Sequence, residues 1–180
     1  AEDNYFIYES YHFEPNEIFE ENNKIQLGNY NYEAIWTPGH SPDHVCYYNK
    51  ENEILIVGDH ILSSMNPVII AKNIDDNPLK DYLNTFDKLI DYKVKHVLTG
   101  HGEQIQDLKA RIKDLKAHYQ KRWKQILTAV QDDHLNAFEI TKKVYGQDMP
   151  IIRLMTSFMQ TITNLNYLES EGFVKKEKMN

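Results

Sequence analysis

The spacing of apolar residues changes near position 108, and this change most constrains what the chain can fold into. Before it, apolar residues come in short runs: 30–37 (YNYEAIWT), 44–48 (HVCYY), 53–57 (EILIV) and 96–99 (HVLT). Each is cut off by Pro, Gly or a polar turn, as strands are. The first places Tyr32, Ala34 and Trp36 on one face, and the NKEN turn joins the next two as a hairpin. The run at 96–99 reads as a short buried strand. Residues 79–92 instead repeat Leu79, Leu83, Phe86 and Ile90 at helical spacing. After the change, Leu108, Ile112, Leu115, Tyr119, Trp123, Ile126 and Val130 step by three or four along one long helix. Asn136 can cap a second helix over 137–145 that stops at Gly146. Pro150 opens a third, with Ile151, Met155, Phe158, Met159, Ile162, Leu165 and Leu168 along its apolar side. Gly172 closes it, and Phe173-Val174 starts a short strand. The expectation is an α+β chain of two units, residues 1–107 and 108–180. Three helices and a terminal strand give the second the layout of a winged helix.

The charge divides at the same place. Residues 1–107 hold 7 Lys/Arg against 19 Asp/Glu, while residues 108–180 hold 13 against 8. Only the second unit can attract a polyanion. Its basic face is Lys109, Lys113, Lys116, Lys121, Arg122 and Lys124, supplemented by Lys175, Lys176 and Lys178. On the third helix, Arg153, Thr156, Gln160 and Asn164 form the polar side. No apolar run approaches the ~20 residues needed to span a bilayer. The single cysteine, Cys46, cannot close an internal disulfide, and the N-terminal residues do not read as an export signal. A cytoplasmic location is the expectation. Residues 5–13 are aromatic and acidic and fit either a short strand or a turn of helix.

Three segments carry chemistry: residues 37–44 (TPGHSPDH), 58–60 (GDH) and 100–102 (GHG). Each puts a His or Asp at a tight, Gly-containing turn where a strand ends. Imidazole and carboxylate are common ligands of zinc and similar ions. Convergence of the three turns would assemble an N/O/N set from His40, Asp59 and His101.

These segments, in this order, resemble the second half of the metallo-β-lactamase superfamily. The helices downstream resemble the winged-helix domain of the group related to β-lactamase-like protein 2. The likeness runs over about residues 24–180. It implies the second half of an αββα sandwich followed by a winged helix. By the resemblance, His40 is a ligand of a first metal, Asp59 bridges two metals and is the catalytic carboxylate, and His101 binds the second. His44 and His60 are neighbours that orient the ligands. The implied cofactor is zinc, two ions per intact site, with other divalent metals possible. The implied reaction is hydrolysis of a small-molecule thioester, lactone or phosphodiester by a metal-bound hydroxide. Asp43 stands where many relatives have Gly, which changes the charge of the pocket.

One departure is large. The family's H-x-H-x-D-H segment does not occur in these 180 residues, and the only histidine before His40 is His12. The expectation is a C-terminal fragment of a longer enzyme, inactive alone. Half of such a sandwich leaves an apolar sheet face bare, so a homodimer or the missing N-terminal half should cover it. The alternative function is a nucleic-acid-binding module or RNA nuclease working through the basic second unit. No membrane partner is expected.

Overall fold

A computed structural model describes residue 14 and residues 18–73, 75–131 and 134–177. The segment 5–13 with His12, the Asp132-Asp133 pair and Lys178 lie outside the described residues.

Among the described residues one sheet forms, in the order β1 (Lys24–Leu27), β2 (Tyr30–Trp36), β3 (Val45–Asn49), β4 (Ile54–Gly58) and β5 (His96–Thr99). The first four run antiparallel in sequence order, and β5 joins β4 in parallel. Sequence reading missed β1. It is four residues with only Ile25 buried, too short for alternation to register. A parallel pair needs a crossover, and α1 (Pro78–Leu89) supplies it. Asn77 caps α1 by accepting from Lys80 N, and Pro78 fills the first turn, where its missing N–H costs nothing.

Strand pairing sorts the side chains into two faces. On one, Ile35 opposes Cys46, and Leu55 opposes both Tyr48 and Val97. These pack against Leu79, Tyr82, Phe86 and Leu89 of α1 and against Leu108, Ile112, Leu115 and Tyr119 of α2 (Leu108–Val130). On the other, Ala34, Tyr47, Ile56 and Leu98 form a continuous row outside that core. Leu98 is 40% exposed and Trp36 47%. Trp36 therefore departs from the burial shared by Tyr32 and Ala34, because its indole turns out to donate to Pro42 O (2.9 Å). β5 buries only Val97, since it is the sheet's last strand with one face bare.

α2 contributes to two cores. Its first half completes the sheet core, whereas Ile126 joins Ile140 of α3 (Ala137–Tyr145) and Leu168 of α4 (Ile151–Ser170). Trp123 packs against both and stacks on Tyr167 at 4.5 Å. Asn136 caps α3 in a reciprocal box with Glu139.

On the expected apolar side of α4, Leu168 is buried and Phe158, Ile162 and Leu165 are half-buried, but the N-terminal part departs from the expectation. Ile151, Met155 and Met159 are 67%, 60% and 41% exposed, while Ser157, Thr161, Asn164 and Leu168 are buried. The buried hydroxyls are satisfied locally: Thr161 Oγ1 donates to Ser157 O and accepts from Thr141 Oγ1 of α3 (both 2.9 Å). Small polar residues bonded this way pack a close helix pair, which a count of apolar positions cannot detect. The strand expected at Phe173-Val174 is absent among the described residues. Phe173 N instead bonds back to Leu168 O (2.9 Å), and Val174 packs on the second core.

Candidate metal centre

The turn 37–44 is tied at its base and pressed onto α1. Thr37 N donates to His44 O (2.9 Å), and the Trp36 indole closes the outside. Gly39 sits at φ +138°, and a Cβ there would lie 2.7 Å from Tyr82 Cα and 2.9 Å from Tyr82 N. No other residue gives the turn both this backbone and this approach. His40, the next residue, is exposed.

Behind His40 a file of imidazoles runs inward. His40 meets His44 edge-on at 6.5 Å, and His44 stacks on His60 at 5.2 Å. His44 Nδ1 bonds with Thr37 Oγ1 (2.8 Å). Burial holds its pKa down, and His40 adds to this; Asp59 and Asp43 oppose it. His60 is fully buried, its Nε2 2.5 Å from Thr85 Oγ1. The Thr85 hydroxyl proton goes to Tyr82 O (2.6 Å), so Thr85 accepts and His60 carries its proton on Nε2. Tyr82 OH returns a bond to His60 O (2.8 Å). His60 Nδ1 has no hydrogen-bond partner. Burial, then His44 and His40, push its pKa down to about 3, which keeps it neutral. Neither His44 nor His60 hydrogen-bonds to a proposed ligand; they contact the site through ring packing and Thr37, Thr85 and Tyr82. Cys46 lies beneath Thr37, and burial raises its thiol to about 12.

The second and third turns meet. Gly100 N donates to Gly58 O (2.8 Å), and a Cβ on Gly100 would collide with Asp59 Oδ1. Asp59 Oδ2 stands 3.2 Å from His101 Nε2. Asp59 Oδ1 is buried and has no hydrogen-bond partner. Thr99 Oγ1 donates to His101 O (2.7 Å), which fixes the turn. A buried carboxylate oxygen without a donor is costly, and a cation beside it removes the cost. The oxygen–imidazole pair fits a divalent ion in ligand chemistry.

The structure therefore brings Asp59 and His101 together and places His40 against His44. Among the described residues no group of three or more His, Cys, Asp or Glu side chains could hold an ion. Asp59 and His101 are therefore a contacting pair of ligand-type side chains, with no third such side chain beside them among the described residues.

The described fold is a five-stranded sheet with helices packed on one face and His- or Asp-bearing turns following β2, β4 and β5. The metallo-beta-lactamase superfamily profile matches residues 2–101, and the chain belongs to that superfamily. A beta-lactamase-like protein 2 homolog of Drosophila melanogaster is 29% identical over 151 residues, 82% of this chain and 49% of that protein. An atrochrysone carboxyl ACP thioesterase of Claviceps purpurea is 25% identical over 122 residues, 64% of this chain and 37% of that protein. Among solved structures, a metallo-beta-lactamase family protein of Thermus thermophilus superposes with a TM-score of 0.73 at 29% identity, covering 86% of this chain and 49% of that one. The chain spans about half the length of these proteins, or less.

Proposed function

We propose that this chain carries part of the active site of a metal-dependent hydrolase, with Asp59 as the shared carboxylate, His101 beside it and His40 as a further ligand. One observation carries the reading: Asp59 turns one oxygen to His101 at 3.2 Å and leaves the other buried without a hydrogen-bond donor. Zinc, or another divalent ion, would supply Lewis acidity and an acidified water at neutral pH. Asp59 and His101 would hold the ion, and Asp59 would orient a water beside it by accepting a hydrogen bond. The file His40, His44, His60 would set the angle of the His40 ring through packing. The substrate we favour is a thioester, supported by a relative named as an acyl carrier protein thioesterase; lactones and phosphodiesters are the other classes.

On this reading the 180 residues alone do not turn over substrate, because ligands from an H-x-H-x-D-H segment are needed. The apolar row Ala34, Tyr47, Ile56 and Leu98 is then covered by a further half of the fold or by a second copy. The second half of α2 with α3 and α4 would form a small helical unit, winged-helix-like in its helices but without the terminal strand among the described residues, in a cytoplasmic enzyme. A nucleic-acid role is the weaker reading. Asn164 is buried, Lys116 is paired with Asp87 at 2.7 Å, and Arg122 lies 3.9 Å over the Tyr145 ring. Lys109, Lys113, Lys121 and Lys124 stay exposed on α2, but the polar side of α4 offers only Arg153 as a cation for phosphates.

The reading frame upstream of Ala1 tests the proposal. An H-x-H-x-D-H segment is expected there, and the protein that includes it should hydrolyse an acyl thioester or lactone only with a divalent ion and not as Asp59→Ala. A frame without that segment, or hydrolysis indifferent to Asp59, would sink the reading.

A further inference from the structure

The Asp59 and His101 turns come from strands separated by a long connection, and β5 is the last strand of the sheet. β4 and β5 pair in parallel up to Gly58 and Thr99, and the Gly100 N–Gly58 O bond extends that register; beyond it the two turns leave the sheet. The segment after His60 leaves the sheet, and Arg111 grips it. Arg111 Nε donates to Leu62 O (2.7 Å), and its Nη2 donates to Met65 O (2.7 Å) and to Asn66 Oδ1 (2.9 Å). Arg111 is itself referenced to the other turn. It lies in the first turns of α2, whose start is capped by Asp107 (Oδ1 to Ala110 N, 2.9 Å). Two residues before that cap, Ile105 N donates back to Val97 O of β5 (3.0 Å). Between the two turns, Gly102 faces Ser63: a Cβ on Gly102 would lie 3.2 Å from Ser63 Oγ. The chain from β5 through His101 to Arg111 and the chain from Asp59 to Asn66 are therefore two arms of one clasp, closed by the guanidinium.

We propose that Arg111 is a positioning residue that holds the Asp59 turn and the His101 turn at the separation where both can reach one ion. The inference rests on the reading of Asp59 and His101 as ligands, but its structural core does not need a metal. A planar guanidinium suits three acceptors spread over residues 62–66; a lysine ammonium, a single point charge on a flexible stem, does not.

The bond from Gly100 N to Gly58 O is a reporter built into the junction of the two turns. The experiment is amide hydrogen exchange, resolved by NMR, on the whole chain without metal. Arg111→Met should speed exchange at Gly100 by about tenfold or more, as expected for local opening after loss of charge-assisted bonds. Ile105 and the β2–β3 amides should keep their protection. Arg111→Lys should resemble Arg111→Met rather than rescue it. Asn66→Ala, which removes one acceptor from an exposed position, should move Gly100 in the same direction by about two- to threefold. Faster exchange confined to residues 62–66, with Gly100 unchanged, would show a purely local role and overturn the proposal. General loss of protection in Arg111→Met with Gly100 unmoved in Asn66→Ala would overturn it as well. Absence of metal binding by the chain would count against the proposed function and leave this readout intact.

Discussion

His60 makes the stability of this chain depend on pH in a calculable way. The folded chain holds His60 neutral, with a pKa of about 3, against an ordinary value of 6.5. Below pH 6.5 the unfolded chain takes up a proton that the folded chain refuses. Stability is therefore complete above about pH 6.5 and is lost as pH falls toward 3. Integrating between these values gives a loss of about 2 kcal/mol at pH ~5 relative to pH ~7.5. His44 and His118, also lowered by burial, act with the same sign. The specific perturbation is His60→Gln, whose amide can donate to Thr85 Oγ1 but gains no proton. Urea unfolding at the two pH values, for both proteins, isolates the His60 share. The wild-type chain should lose about 2 kcal/mol more than the variant, roughly a 1 M difference in midpoint shift for a slope of about 2 kcal/mol/M. Equal losses in the two proteins would refute the reasoning, because His60 would then be hydrated or protonated in the folded chain.

Other consequences can be checked by routine measurements. Gly39→Ala must push the 37–44 turn off the Tyr82 backbone from a φ of +138°, so thermal unfolding should show a loss of about 2 kcal/mol or more; a neutral substitution would mean the turn does not seat on α1. Asn136→Ala breaks the reciprocal cap of α3 and should cost about 1 kcal/mol in the same assay. The apolar row of Tyr47, Ile56 (both half-buried) and Leu98 should drive self-association in sedimentation, and Leu98→Glu, at a position 40% exposed, should reduce it. A strictly monomeric wild-type chain would contradict the covering of that face.

The sequence made the turns legible because their chemistry is local. A Gly beside a His or Asp after an apolar run marks a strand end carrying a ligand-type side chain, and Gly39, Gly58 and Gly100 all stand at such points. The periodicity of α1 and of the first half of α2 was legible for a similar reason, since each presents one apolar face to one sheet face. Burial that depends on partners was not. Met155 and Met159 look like core by type but face outward, while Thr161 and Asn164 face inward because hydroxyl and amide groups bond within their own helix. Arg111 was not singled out by spacing or charge, and only the structure shows three acceptors from residues 62–66 around it. The gap between His40 and the Asp59–His101 pair has the same origin. Spacing along the chain identifies candidate ligands, but their convergence depends on how the loops that carry them are held.

If Asp59 and His101 form a ligand pair, the chain should bind zinc at equilibrium through both side chains. The measurement is dialysis of the wild-type chain, Asp59→Asn and His101→Ala against high-micromolar zinc, with metal content per chain read by elemental analysis. The wild-type chain should bind zinc weakly but measurably, and each substitution should lower that affinity about tenfold or more, since loss of even a supporting group costs about tenfold. Metal content that is the same in all three proteins would contradict that pairing.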